Sequence, residues 1–167
     1  MASFASSYIK TEAAAVTRNA DNASVLTSAI SGFSASTLTI FAEATQNIAV
    51  GDRAIAALND GSTAERLDLR TNGLLVSDGN VEQAYIAYTN IAVTPTRIAA
   101  AAALNDFAIS RDGAAVLTDV SGTMPLPTTL RIGNLDVNTN FLNGHLRKLA
   151  LYNTRLSNAE LVALSTL

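Results

Sequence analysis

The stretch Thr96-Arg97-Ile98-Ala99-Ala100-Ala101-Ala102-Ala103-Leu104-Asn105-Asp106-Phe107-Ala108-Ile109-Ser110-Arg111-Asp112-Gly113 decides the fold. By propensity alone its alanines ask for a helix. A run of this length cannot hold a helix by itself. Hairpin chemistry comes directly after the alanines: Phe107-Ala108-Ile109-Ser110, then the turn pair Asp112-Gly113. The segment therefore predicts a strand over 96–104, a second over 107–110, and a third over 114–118 that pairs back across Asp112-Gly113.

Outward from this hairpin the same punctuation recurs. Glycine follows Asp or Asn at Asp60-Gly61, Asn72-Gly73, Asp78-Gly79, Asp112-Gly113 and Asn143-Gly144. Such pairs tolerate positive φ and favour tight turns. Between them, runs of Val, Ile, Leu, Thr and Ala predict strands over 37–44, 53–58, 65–70, 73–77, 82–90, 129–132 and 146–152. In 37–44, Leu38, Ile40, Ala42 and Ala44 share a face; in 65–70, Leu67 and Leu69 oppose Arg66, Asp68 and Arg70. Pro125 and Pro127 mark 122–129 as an extended crossing between sheets. One helix is expected, at the tail: Ser157 and Glu160 have the spacing of a capping box, and Leu161, Leu164 and Leu167 fall on one face. The whole reads as all-β: a two-sheet antiparallel β-sandwich with a short C-terminal helix, one domain over 1–167.

Composition removes several function classes. The chain has 167 residues, a net charge of −3 and no cysteine, so disulfides and thiolate metal sites are excluded. No basic stripe exceeds Arg147-Lys148, which argues against nucleic acid. No apolar run approaches the ~18 residues of a membrane span. Met1 to Tyr8 lacks the basic and apolar regions of a signal peptide. Charged residues make up 15% of the chain, where about 25% is usual. A surface so poor in charge suits packing against other proteins, as in virion or extracellular proteins. Arg is preferred to Lys, and its fork and planar face suit interfaces.

Catalytic candidates are few. His145 is the one imidazole; it comes after the Asn143-Gly144 turn and reads as a turn or strand-surface residue. Sandwich glucanases carry their acids as Glu-x-Asp-x-x-Glu; Glu65-Arg66-Leu67-Asp68 has the wrong spacing and no third acid, and Glu43 stands alone between alanines. No catalytic residue is assigned. Asp60, Asp78, Asp112 and Asp136 sit in expected loops that could converge on calcium, yet each is explained as a turn former, so no metal ligand and no cofactor is assigned. No Trp is present; Tyr85, Tyr88 and Tyr152 are expected to pack, with Tyr8 and Phe141 left for the surface.

The C-terminal third carries a resemblance. Leu130-Arg131-Ile132-Gly133, then Phe141-Leu142-Asn143-Gly144-His145-Leu146, then Leu149-Ala150-Leu151-Tyr152-Asn153-Thr154-Arg155-Leu156-Ser157 and Ala159-Glu160-Leu161 are similar to the ending of concanavalin A-like lectin/glucanase and laminin G-like domains. The resemblance implies a jelly-roll sandwich in which Tyr152 packs inward. Ser6-Ser7-Tyr8-Ile9-Lys10-Thr11 and Val16-Thr17-Arg18-Asn19-Ala20-Asp21 resemble the opening of lectin-like modules in tailed-phage structural proteins. The family's Trp before the central turn and its glucanase acids are missing. The resemblance thus implies the fold and does not carry glycan binding or catalysis with it.

These readings lead first to a non-enzymatic phage virion structural or accessory module (capsid decoration, head fibre or tail-associated) acting by surface binding. A glycan-binding adhesion module is the alternative, and a polysaccharide hydrolase the remote one. The expected partners are other virion proteins of capsid or tail, with a cell-surface glycan and a second copy of the chain beside them. The expected location is the virion surface, and no ligand-binding residue is assigned.

Overall fold

The computed structural model describes residues 22–47, 51–135 and 139–166. Among them the strands are β1 (Ala23–Leu26), β2 (Thr37–Gln46), β3 (Ala54–Asn59), β4 (Arg66–Arg70), β5 (Gly73–Asp78), β6 (Val81–Ala87), β7 (Thr96–Ala103), β8 (Asp106–Arg111), β9 (Leu117–Asp119), β10 (Thr129–Ile132) and β11 (Gly144–Tyr152), with a 3-10 turn at Thr27–Ala29 and one α-helix, α1 (Asn158–Ser165), at the end. Two antiparallel sheets form, β1-β10-β3-β4-β5-β6 (sheet A) and β11-β2-β7-β8-β9 (sheet B). The chain is the two-sheet sandwich its turn signals predict. The proline-bearing segment between β9 and β10 joins sheet B to sheet A, as expected.

One core lies between the sheets. Leu67, Leu69, Leu74, Val76 and Ile86 reach it from sheet A; Leu38, Ile40, Ile98, Phe107 and Ile109 reach it from sheet B. The alanine run forms β7, with Ala100 and Ala102 facing this core and Ala99 and Ala101 facing away. The outward alanines are also buried, because α1 lies across sheet B and sets Leu161 against Phe41, Ala99, Ala101 and Ala108. A strand covered on both faces needs no polar alternate residue. Small side chains there let the helix approach the sheet. The Ser157 side chain accepts from the Glu160 amide at 3.3 Å, and the Glu160 carboxylate accepts from the Ser157 amide at 2.7 Å, completing the capping box. Leu164 packs beside Leu161; Leu167 lies outside the described residues.

Three local expectations are corrected. Residues 114–116 do not pair with β8; only Leu117–Asp119 does. The turn closes tightly, with the Ala114 amide on the Arg111 carbonyl at 2.9 Å. Beyond it, Ser110 Oγ donates to the Ala114 carbonyl and Gly113 N donates to Ser165 Oγ, which turns this segment toward the helix. Tyr152 does not pack inward: it pairs with Thr39 and is 37% exposed, while Leu151, opposite Ile40, fills the inward position. Tyr85 is likewise exposed, and only Tyr88 of the three packs against the core. The N-terminal segments 6–11 and 16–21, with Tyr8, lie outside the described residues.

Candidate functional site

β4 alternates as its sequence requires. Leu67 and Leu69 point into the core, which sends Arg66, Asp68 and Arg70 to the outer face of sheet A. The ladder registers extend this face sideways. Ser24 stands opposite Arg131, Arg131 opposite Ala57, Ala57 opposite Asp68, Asp68 opposite Leu75, and Leu75 opposite Tyr85. One row thus crosses the whole sheet, with a carboxylate at its middle, a guanidinium toward one edge and a half-exposed tyrosine toward the other.

Arg70 organises the centre. Its Nη2 donates to Asp68 Oδ2 at 2.8 Å, and its Nη1 donates to Asp52 Oδ2 from the loop before β3. Arg66 Nε stands 3.7 Å from the same Asp68 oxygen. Asp68 is fully buried, and its Oδ1 has no hydrogen-bond partner; Arg66 Nε and Asp52 Oδ1 also lack one. Burial disfavours the charged form and outweighs the arginines, so the Asp68 carboxyl is pushed up to about 6. For Arg70, the Asp68 and Asp52 carboxylates outweigh burial and hold its guanidinium above its usual value. At the rim, Arg131 Nε donates to Asn59 Oδ1 at 3.3 Å, and Asn72 Nδ2 donates to the Tyr85 hydroxyl at 3.2 Å. Among the described residues, Arg66 and Arg70 stand against Asp68, and Arg70 also holds Asp52.

Asp52 and Asp68 are both clamped to one guanidinium, and Asp68 is sealed from solvent. Glycoside hydrolysis uses two carboxyls free to act on the scissile bond, whereas both of these are tied to Arg70. Arg66, Asp52 and Tyr85 reach the surface and can offer hydrogen bonds and one aromatic face.

The other acids are accounted for elsewhere. Glu43 lies on the outer side of sheet B, in a cross-strand row with Arg97 and Lys148. It accepts from Arg97 Nε at 3.1 Å and has Arg147 Nη1 and Lys148 Nζ at 3.9 Å. His145 is in register with Thr45, a strand position as expected. Glu43 and Asp68 therefore occupy opposite sides of the sandwich. Glu65 ties two loops, accepting from Gly79 N and Leu126 N at 2.8 Å each. Asp60 accepts from Ser62, and Asp112 accepts from the Arg97 amide; Asp136 lies outside the described residues. Among the described residues no group of three or more His, Asp or Glu converges as metal ligands would.

The sequence shows Asp68 only as a partner of Glu65 in an acid pattern of the wrong spacing, on the strand face it shares with Arg66 and Arg70. Asp52, Arg70, Arg131 and Tyr85 were not singled out as a site, because several strands and a loop supply the cluster and no linear spacing announces it.

No protein-family model and no curated protein sequence matches the chain. Solved structures do. The CBM40 of the Ruminococcus gnavus IT-sialidase, bound to alpha2,3 sialyllactose, superposes with a TM-score of 0.62 at 12% identity, over 78% of this chain and 83% of that one. The same module bound to alpha2,6 sialyllactose gives 0.64 at 11% identity over the same shares. The NanB sialidase from Streptococcus pneumoniae gives 0.65 at 15% identity, over 86% of this chain and 27% of that one. At these identities the likeness is one of fold, and the chain is a β-sandwich similar to the lectin-like CBM40 modules of sialidases.

Proposed function

We propose that this domain binds carbohydrate without transforming it, through the outer face of sheet A. The observation that carries the reading is the exposed rim of that face, Arg66, Asp52 and Tyr85 around the buried Asp68–Arg70 pair, on a fold whose CBM40 neighbours were solved with sialyllactose. The likeness spans most of those modules but only about a quarter of the sialidase chain. That supports a binding module over a hydrolase. Arg66 offers a guanidinium suited to a carboxylate, and Tyr85 offers a face for a sugar ring. An acidic glycan such as a sialoside is the class this surface suits.

Isothermal titration with alpha2,3 sialyllactose, backed by a glycan array, tests the reading. Binding by the wild type, weakened about tenfold or more in Arg66→Gln and in Tyr85→Ala with unchanged melting, is expected. An array without hits, with and without calcium, overturns it. Placement on a phage virion rests on the sequence alone, chiefly the N-terminal resemblance and the charge-poor surface, and a virion adhesin would unite both readings. Mass spectrometry of purified virions without this chain would remove that placement.

A further inference from the structure

A hollow lies beside Tyr88, near the end of β8. It has a volume of about 330 Å³ and is lined by Tyr88, Ile109, Arg111, Ala114, Ala115 and Leu117. The local fold makes it. The Arg111–Ala114 turn takes residues 114–116 off the β8 ladder, and pairing resumes only at Leu117. The two alanines in that gap are too small to fill the space beside Tyr88. Ile109, 2% exposed, belongs to the intersheet core, and Leu117, 48% exposed, stands toward solvent.

The wall chemistry is one-sided. Ile109, Ala114, Ala115 and Leu117 offer no polar side-chain atom. The Tyr88 hydroxyl is spent on the Arg70 carbonyl at 2.6 Å. Arg111 is the single cation of the lining, and it is fixed beforehand. Its Nη1 donates to the Thr89 carbonyl at 2.6 Å, its Nε stands 3.3 Å from Asp112 Oδ2, and its guanidinium carbon lies 5.4 Å from the centre of the Tyr88 ring. Its Nη2 has no partner among the described residues. Asp112 offsets part of the charge, but its other oxygen is engaged by the Arg97 amide at 2.8 Å.

We propose that this hollow binds a small carboxylate with an apolar body, the body against Ile109, Ala114, Ala115 and Leu117 and the carboxylate on Arg111 Nη2. Guanidinium donates and cannot accept, so the polar end must be an acceptor, and an anionic one gains most. The volume is roughly eleven times the ~30 Å³ share of a water molecule, which suits a body of one ring and a short chain.

3-Phenylpropanoate and its neutral amide, titrated into the ¹⁵N-labelled protein, test the proposal. Saturable shifts confined to residues 88–89 and 109–117 are expected, with a dissociation constant on the order of a millimolar for so small a ligand. The amide should bind about fivefold more weakly, because it loses the charge-assisted bond. Arg111→Gln should erase the difference between acid and amide, and Ala115→Phe should abolish binding by filling the hollow. Shifts that do not saturate, shifts that map elsewhere, or equal affinity for acid and amide overturn the proposal. The acid–amide comparison is made on the wild type, so it stands even where a variant fails to fold.

Discussion

Asp68 and Arg70 meet at 2.8 Å on the outer face of β4, yet only one oxygen of the carboxylate is satisfied. The pair is two residues apart on one strand, where alternation puts both side chains on the same side. A buried ion pair of this kind is weak evidence for stability, because desolvation consumes most of the attraction. It is better evidence for a fixed electrostatic platform. Asp68 holds Arg70, Arg70 holds Asp52, and the rim residues surround that rigid centre.

The first prediction concerns pH. Asp68 titrates at about 6 in the fold against 3.8 for the ordinary carboxyl. Between these values the folded chain keeps a proton that the unfolded chain has lost. This group's contribution is therefore complete below about pH 4 and is lost as pH rises through 6, at a total cost of roughly 3 kcal/mol. Asparagine at this position cannot ionise. Urea midpoints measured at pH 4 and pH 7 should therefore fall more steeply for the wild type than for Asp68→Asn. Parallel profiles would show that Asp68 titrates normally.

Removing one partner should hurt more than removing both. Arg70→Met strands a buried carboxylate and should destabilise the fold by about 3–5 kcal/mol at neutral pH. Asp68→Leu combined with Arg70→Met replaces the pair by apolar groups and should recover much of that loss. Equal losses in the single and double variants, read from chemical denaturation, would mean that the pair is not coupled.

The third prediction tests the alanines of β7. Ala101 is fully buried beneath α1, beside Leu161. Leucine there adds three carbons to a filled contact and should cost about 1–3 kcal/mol. The helix is the element able to yield, so amide exchange in α1 should quicken while β8 stays protected. Unchanged exchange in α1 would place the alanines' role elsewhere.

Much of the fold is legible in the sequence because each strand carries its own period and its own stop. Leu67 and Leu69 reveal their face, and Asp78-Gly79 reveals its hairpin. Whatever depends on distant partners stays hidden. β1 has no turn pair, and it is a strand only because Ala23 meets Ile132 and Leu26 meets Thr129. Tyr152 reads as a core residue until its register with Thr39 puts it on the outer face. Ser165 looks like any helix-end serine, yet it is buried and bonds Ser110 Oγ at 2.8 Å. The charged row was legible at β4 alone; Arg131 and Tyr85 join it through pairings that only the folded sheet defines.

The last prediction separates two reasons for glycine in neighbouring turns. Gly79 and Asn80 link β5 to β6 with φ of 59° and 64°, the left-handed pair of a tight hairpin turn. A Cβ at Gly79 would meet nothing within 4 Å, so the cost of Gly79→Ala is conformational alone, about 1 kcal/mol. Gly79→Asn should regain most of it, because asparagine tolerates this region. Gly73 is different: a Cβ there would stand 2.5 Å from the Ile86 carbonyl oxygen, in the ladder that joins β5 to β6. Neither alanine nor asparagine relieves that clash. Gly73→Ala and Gly73→Asn should both destabilise by more than Gly79→Ala, on the order of 2 kcal/mol or above. Urea denaturation of the four variants decides the matter, and a Gly73→Asn variant as stable as Gly79→Asn would show that β6 can move aside.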